Sequence, residues 1–269
     1  MTGEPTQPRA KRSWDDLGPR LASGLTMVAL GLVMIWLGGH WFHVFAALIA
    51  GGMVWELVHM AVPNVSGAKW QMAGIACLAM LLAVYLPVSA ALPLLLAPGM
   101  VALSIVPHRR TITITFTALI LLSAYGMVQL RDGYGMIWLL WLVVTVVVTD
   151  VLGYFAGRLI GGPKFWPRVS PKKTWAGTIA GWLGAGVVGL IFGLWTGAGM
   201  ELIGFSIAAS MASQMGDMAE SAIKRKVGVK DSSSLIPGHG GLMDRFDGML
   251  GASLFLLLAG SVAGFPPGL

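Results

Sequence analysis

Charge is scarce in this sequence. Of 269 residues, 11% are Asp, Glu, Lys or Arg, against roughly 25% in an average soluble domain, and that shortage excludes an ordinary soluble globule. Cysteine is scarcer still. Cys77 stands alone, so an intrachain disulfide and a cysteine-based zinc cluster are both excluded. Internal repeats and low-complexity tracts are absent, which argues against a solenoid and against a transporter assembled from repeated halves. Residues 1–20 are polar and lead directly into an apolar run long enough to span, a pattern unlike a cleaved secretory signal. Apolar residues dominate instead, at 56%, in runs that recur along almost the whole length. The expectation is an all-α integral membrane protein, a helical bundle forming one polytopic domain over residues 1–269 with a polar site at its cytoplasmic side.

A hydrocarbon core takes about 20 mainly apolar residues per helix. That rule predicts nine spans, near 20–38, 41–61, 71–87, 89–106, 112–130, 135–157, 175–196, 200–217 and 248–265, with the termini on opposite sides. Lys and Arg test the count, because they collect in cytoplasmic loops. With a polar cytoplasmic N-terminus over 1–19, the inner segments hold Arg9, Lys11, Arg12 and Arg20, then Lys69, then Arg109 and Arg110. The last two hold Arg158, Lys164, Arg168, Lys172 and Lys173, then Lys224, Arg225, Lys226, Lys230 and Arg245. Seventeen of the 18 cations sort to that side, and Arg131 alone falls outside. The net charge of +6 is thus explained by membrane topology, and a nucleic-acid partner is not expected.

Glycine numbers 37, and Gly177, Gly181, Ala185, Gly189 and Gly193 recur every four residues in the seventh span. Small residues at that spacing make a flat ridge that another helix can approach closely. The ridge serves packing within the chain or a contact between copies, a symmetric homodimer being the prior form for an oligomer.

Polar groups inside spans are costly and mark sites or paths. Glu56 sits mid-span, as a cavity residue or as a hydrogen-bond partner of a neighbouring helix. Asp150, Tyr154 and Arg158 fall at i, i+4 and i+8, on one helix face, either as a site or as a relay anchoring the helix end. Asp217, Glu220, Ser221 and Lys224 form a stripe at offsets zero, three, four and seven, where the bland reading is a solvated helix end. Next comes "KDSSSLIPGHGG", whose serines, Pro237 and glycines cannot easily continue a helix. Glycine there lets backbone approach a ligand and aligns amides for anions. His239 in this loop reads more readily as a hydrogen-bonded loop residue than as a metal ligand. Asp244 and Asp247, three apart, point one way in a helical turn, and hard oxygen donors without cysteine favour Mg²⁺ over zinc. Lys224, Arg225 and Lys230 supply what phosphates need. The combination suggests metal-dependent phosphoryl or nucleotidyl transfer. A second basic loop, "GPKFWPRVSPKKTWAG", carries Lys172 and Lys173 just before a helix start, a position that favours anions; attraction to anionic headgroups is its simpler reading.

These residues resemble the signature of the phosphatidate cytidylyltransferases, also called CDP-diacylglycerol synthases. The matching positions are Ser221, Ile223, Lys224, Arg225, Lys230, Asp231, Ser233, Ile236, Pro237, His239, Gly240, Gly241, Leu242, Asp244, Arg245, Phe246 and Asp247. "SPKKTWAG" at 170–177 and Asp150 with "GYFAGR" resemble two further family motifs. The likeness covers roughly residues 150–247, a catalytic region that includes expected cytoplasmic loops at 158–174 and 218–247. The first 130 residues resemble the family mainly in being apolar spans. One position departs from the pattern: Ala176 stands where the family usually has Glu. The resemblance implies transfer of the cytidylyl group of CTP to phosphatidic acid, giving CDP-diacylglycerol and pyrophosphate for phospholipid biosynthesis. It implies Mg²⁺, with a second cation left open, held by Asp217, Asp244 and Asp247. Lys224, Arg225 and Arg245 are assigned to catalysis. Lys172, Lys173, Ser221, Lys230, Asp231, His239, Gly240 and Gly241 are assigned to substrate binding. The expected setting is a bacterial inner membrane, with membrane lipids around the chain and the site facing the cytoplasm. A CTP-dependent polyprenol kinase is the rival enzyme, separated by releasing CDP in place of pyrophosphate. A transporter with Glu56 and Asp150 as coupling groups is the non-enzymatic rival. The paired "DG" and "AR" spacing of CDP-alcohol phosphatidyltransferases does not occur.

Overall fold

The computed structural model describes residues 17–62, 66–106, 109–260 and 262–267. Arg9, Lys11 and Arg12, counted above among the inner cations, lie outside the described residues. Nine helices appear among those described: α1 (Leu17–Leu37), α2 (Gly39–Ala61), α3 (Ser66–Tyr85), α4 (Val88–Ile105), α5 (Arg110–Tyr134), α6 (Met136–Leu159), α7 (Trp175–Thr196), α8 (Glu201–Val227) and α9 (Met243–Ala259). Six of them, α2 to α7, are long and apolar enough to cross a membrane. The apolar part of α1, Leu21–Leu37, is shorter. α9 has only 17 residues, and α8 carries a polar stripe through its second half.

The helices agree with the expected spans in number and order but not at every end. α8 runs on to Val227, so the first part of the expected 218–247 loop is helix. α9 begins at Met243 and stops at Ala259, earlier at both ends than the predicted 248–265. The segment 158–174, expected as a loop, contains an antiparallel hairpin of β1 (Lys164–Trp166) and β2 (Ser170–Thr174), with Lys164 opposite Thr174. Local polarity and two prolines conceal this ribbon, in which Thr174 alone is buried and no run of alternating apolar residues marks a half-buried strand.

Helix ends follow local chemistry. Thr174 caps α7, its Oγ1 accepting from the Gly177 amide at 3.2 Å. Gly228, at φ 88°, closes α8, and the amides of Gly228 and Val229 both reach the Lys224 carbonyl at 2.9 Å. The off-pattern cation Arg131 has its own duty: its Nε donates to the Ile35 carbonyl at 2.8 Å, satisfying the last turn of α1. At the far end of α1, the Ser23 hydroxyl donates to the Pro237 carbonyl at 3.0 Å, and its oxygen lies 2.8 Å from His239 Nδ1.

Packing divides into two groups. α2 packs on α3, α3 on α4 and α4 on α5, with α5 returning to α2; α6, α7, α8 and α9 pack in sequence, and α5 against α9 joins the groups. Buried serines reinforce that joint, Ser123 Oγ donating to the Leu250 carbonyl at 2.8 Å and Ser253 Oγ to the Ser123 carbonyl at 2.6 Å. The small-residue ridge of α7 faces inward. A Cβ on Gly177 would meet the Gly153 carbonyl of α6, and one on Gly189 would meet Ser206 and Leu202 of α8.

Helices α8 and α9 approach each other backbone to backbone. A Cβ on Gly216 would collide with the Asp247 carbonyl, and one on Gly251 with the Ala212 carbonyl. Backbone contact at these glycines draws Asp217 on α8 towards Asp247 on α9. Gly251→Val should force the pair apart, costing on the order of 1–3 kcal/mol. A lower melting temperature in detergent checks it; an unchanged one would mean the helices shift without penalty.

Candidate active site

The C-terminal ends of α6 and α8 and the N-terminal ends of α7 and α9, with the hairpin and the 228–242 loop, meet at one end of the bundle. A cavity of about 330 Å³ opens there, lined in part by Asp150, Tyr154, Arg158, Lys172, Lys173, Thr174, Gln214 and Asp217. The face read from the i, i+4, i+8 spacing is present, with Arg158 Nη1 donating to the Tyr154 hydroxyl at 2.8 Å. Lys173, carried in by β2, forms an ion pair with Asp217, which ties the hairpin to α8. Thr149 and Thr178, both buried, also line the cavity; like Gln214 they belong to no charged pattern and give no sequence signal. Ala176 is not among the lining residues. It sits in the first turn of α7, which has no acidic residue, so the missing Glu removes a favourable charge from a helix N-terminus.

Next to the cavity, Asp217, Glu220 and Asp247 bring one carboxylate oxygen each to within 4.8 Å of one another. Glu220 is 1% exposed. Its Oε2 meets Lys224 Nζ at 2.7 Å, while Oε1 has no hydrogen-bond partner among the described residues. It lies beyond the apolar part of α8, and burial, followed by the charge of Asp247, pushes it up to about 9 against the pull of Lys224. A carboxyl so placed is short of positive charge, and an orphaned oxygen in a three-carboxylate cluster fits a hard divalent cation.

Asp244 adjoins this trio through Lys224, which it shares with Glu220. Its Oδ1 accepts from Lys224 Nζ at 2.7 Å, and its Oδ2 from the Ser232 amide at 2.9 Å, the Ser232 hydroxyl at 2.8 Å and the Gly241 amide at 2.8 Å. Burial alone would raise its pKa; these donors, Lys224 foremost, outweigh it and hold Asp244 at about 2. Lys224 stays above the ordinary lysine value although burial opposes it, because Glu220 and Asp244 both stabilise its charge. The two aspartates expected to point together therefore diverge, Asp247 to the carboxylate cluster and Asp244 to the loop. Glu220, on the recognised stripe three residues after Asp217, lies with Asp217 and Asp247.

The remaining residues are placed as follows. Ser221 Oγ donates to Asp217 Oδ1 at 3.3 Å. Arg245 reaches the His239 carbonyl through Nε at 2.9 Å and Nη2 at 2.7 Å, so His239 anchors the loop between Arg245 and α1. Arg225, Lys230 and Asp231 are exposed near the loop. Gly240 has φ 85°, a conformation L side chains rarely adopt. At Gly241 a methyl group would collide with Ser232 Oγ, so the amide that reaches Asp244 depends on the missing side chain.

Residues 19–262 match the model of the cytidylyltransferase family. The chain belongs to that family. Among its relatives, a protein of Brucella abortus (strain 2308) named phosphatidate cytidylyltransferase is 41% identical over 148 residues, covering 54% of this chain and 55% of that protein. Proteins of the same name from Helicobacter pylori (strain ATCC 700392 / 26695) and Bacillus subtilis (strain 168) are 38% and 39% identical, over 49% and 46% of this chain and 50% and 48% of their own lengths. The matches span about half the length of these curated relatives.

Proposed function

We propose that this family member transfers the cytidylyl group of CTP to phosphatidic acid, forming CDP-diacylglycerol and pyrophosphate. The observation that carries the reading is a single cavity that joins Arg158, Lys172 and Lys173 to a carboxylate cluster beside Lys224. Two substrates that are both polyanions need such a mixture, and the names of the relatives point to the same reaction.

A phosphate oxygen of the lipid attacks the α-phosphorus of CTP, the bond from that phosphorus to the bridging oxygen breaks, and pyrophosphate leaves. Phosphate is ionised near neutral pH, so no strong base is required, and the barrier falls through alignment and charge stabilisation. Lys172, Lys173 and Arg158 line the cavity and bind phosphate there, with Arg225, Lys230 and Arg245 exposed around the loop to receive the rest of the anionic charge. Asp217, Glu220 and Asp247 would hold Mg²⁺, which when bound neutralises phosphate charge. Asp244, with both oxygens engaged, fixes Lys224 and the loop. The cation sorting supports a cytoplasmic-facing site and the bacterial relatives support an inner membrane, where phosphatidic acid would reach the site from the surrounding lipid.

The test is incubation of the protein in lipid-containing micelles with CTP, phosphatidic acid and Mg²⁺, following pyrophosphate, CDP and the lipid product. Pyrophosphate with CDP-diacylglycerol is the expected outcome, reduced at least tenfold in Asp244→Asn as an order of magnitude for losing an orienting contact. Release of CDP with a phosphorylated polyprenol would establish the kinase instead.

A further inference from the structure

We propose that Glu56, on α2 and far in sequence from the family signature, is a positioning residue for the reaction. Its carboxylate holds the 232–242 loop and the first turn of α9, and so sets Asp244 and Asp247 against α8. The inference rests on the transferase reading for its kinetic part only.

Glu56 is fully buried, on a helix whose neighbouring side chains Met53, Val54, Leu57 and Val58 are core. Three donors converge on it, and the hydroxyl that Ser232 shares with Asp244 stands beside them. Ser233 Oγ donates to Oε1 at 2.6 Å, the Leu242 amide to Oε1 at 2.8 Å, the Met243 amide to Oε2 at 2.7 Å and Ser232 Oγ lies 3.2 Å from Oε2. The two amides open α9, which has no side-chain cap of its own, so Glu56 performs the capping from another helix. Ser232 extends the arrangement. Its hydroxyl lies between Glu56 and Asp244 and its amide donates to Asp244, which in turn holds Lys224. Gly241 belongs to the same fit, since any Cβ there would strike the Glu56 carboxylate.

A carboxylate suits this place because it offers two acceptor oxygens and no donor. Glutamine at 56 has nearly the same shape but turns an NH₂ group towards two of the donors, leaving buried groups unpaired. The loop would then lose its fixed relation to α8 while the apolar packing of α2 remained.

The test compares the full chain with Glu56→Gln in detergent micelles. Amide hydrogen exchange in a peptide covering residues 232–247 should quicken about tenfold or more from the loss of charged hydrogen bonds, with α3, α5 and α6 unchanged. Binding of Mn²⁺, used as the probe cation, should weaken about tenfold. The rate constant for pyrophosphate release should fall about a hundredfold, the expected cost of misaligned reacting groups, with KM for CTP nearly constant. Wild-type exchange in 232–247 would overturn the proposal, and so would exchange that rises equally in every helix, which marks a residue that only holds the fold. If Glu56→Gln does not fold, Ser233→Ala carries the test, since it removes the shortest contact and keeps the carboxylate; the same local pattern is expected at smaller size, and its absence overturns the proposal. If the unmutated protein releases no pyrophosphate, the transferase reading fails, and local exchange with Mn²⁺ affinity still decides the role of Glu56.

Discussion

Asp217→Asn and Asp247→Asn are each expected to lower turnover by about three orders of magnitude, the scale of losing one element of charge stabilisation at a phosphoryl centre. Asp247→Asn, which breaks no ion pair among the described residues, should do so without lowering the melting temperature of the cation-free protein. The two halves of the prediction have one cause. Asp217, Glu220 and Asp247 crowd their oxygens within 4.8 Å, and Glu220 is already pushed up to about 9, in part by Asp247. Removing one charge relieves repulsion in the empty cluster. The same removal deletes a donor that a divalent cation needs. Melting in detergent with and without Mg²⁺ reads this directly: the unmutated chain should gain stability on adding the cation, and the variants should gain little. Equal Mg²⁺ stabilisation in all three proteins would mean that the cluster does not hold the cation.

Lys224→Ala should have the largest effect on stability. Lys224 faces Glu220 and Asp244 at 2.7 Å each, with side-chain exposures of 13%, 1% and 7%. Breaking a buried pair leaves an uncompensated charge and costs about 3–5 kcal/mol. The pH dependence gives the cause away. In the unmutated chain Asp244 is held at about 2, below its ordinary 3.8, so its contribution is fully present above about pH 4 and is lost as pH falls through 2. Without Lys224 the carboxyl is expected to take up its proton at higher pH. The deficit of the variant should therefore be greatest near neutrality and shrink as pH falls towards 4.5. A deficit constant over that range would assign the loss to packing of the lysine stem alone.

The helix count was legible because long apolar runs alternate with short charged segments, and nine helices follow in the expected order among the described residues. Asp150, Tyr154 and Arg158, read from spacing, share the cavity. Asp217 and Glu220 were visible as a stripe. What spacing could not give was the choice between Asp244 and Glu220 as the third carboxylate beside Asp217 and Asp247. In an isolated helical turn Asp244 and Asp247 point alike; here Ser232 and Gly241, from the preceding loop, capture Asp244. Glu56 was legible only as an anomaly, a carboxylate among apolar residues. Its partners lie 176 to 187 positions away, beyond the reach of any periodicity.

The ion pair of Lys173 with Asp217 ties together two affinities that would otherwise be independent. A phosphate that draws Lys173 to itself strips Asp217 of its counter-charge and makes the carboxylate cluster more negative. A cation settling on Asp217 releases Lys173 to the phosphate. By reciprocity each ligand must tighten the other's binding by the same factor, so nucleotide and metal would load cooperatively, and a cavity with only one of them would hold it weakly.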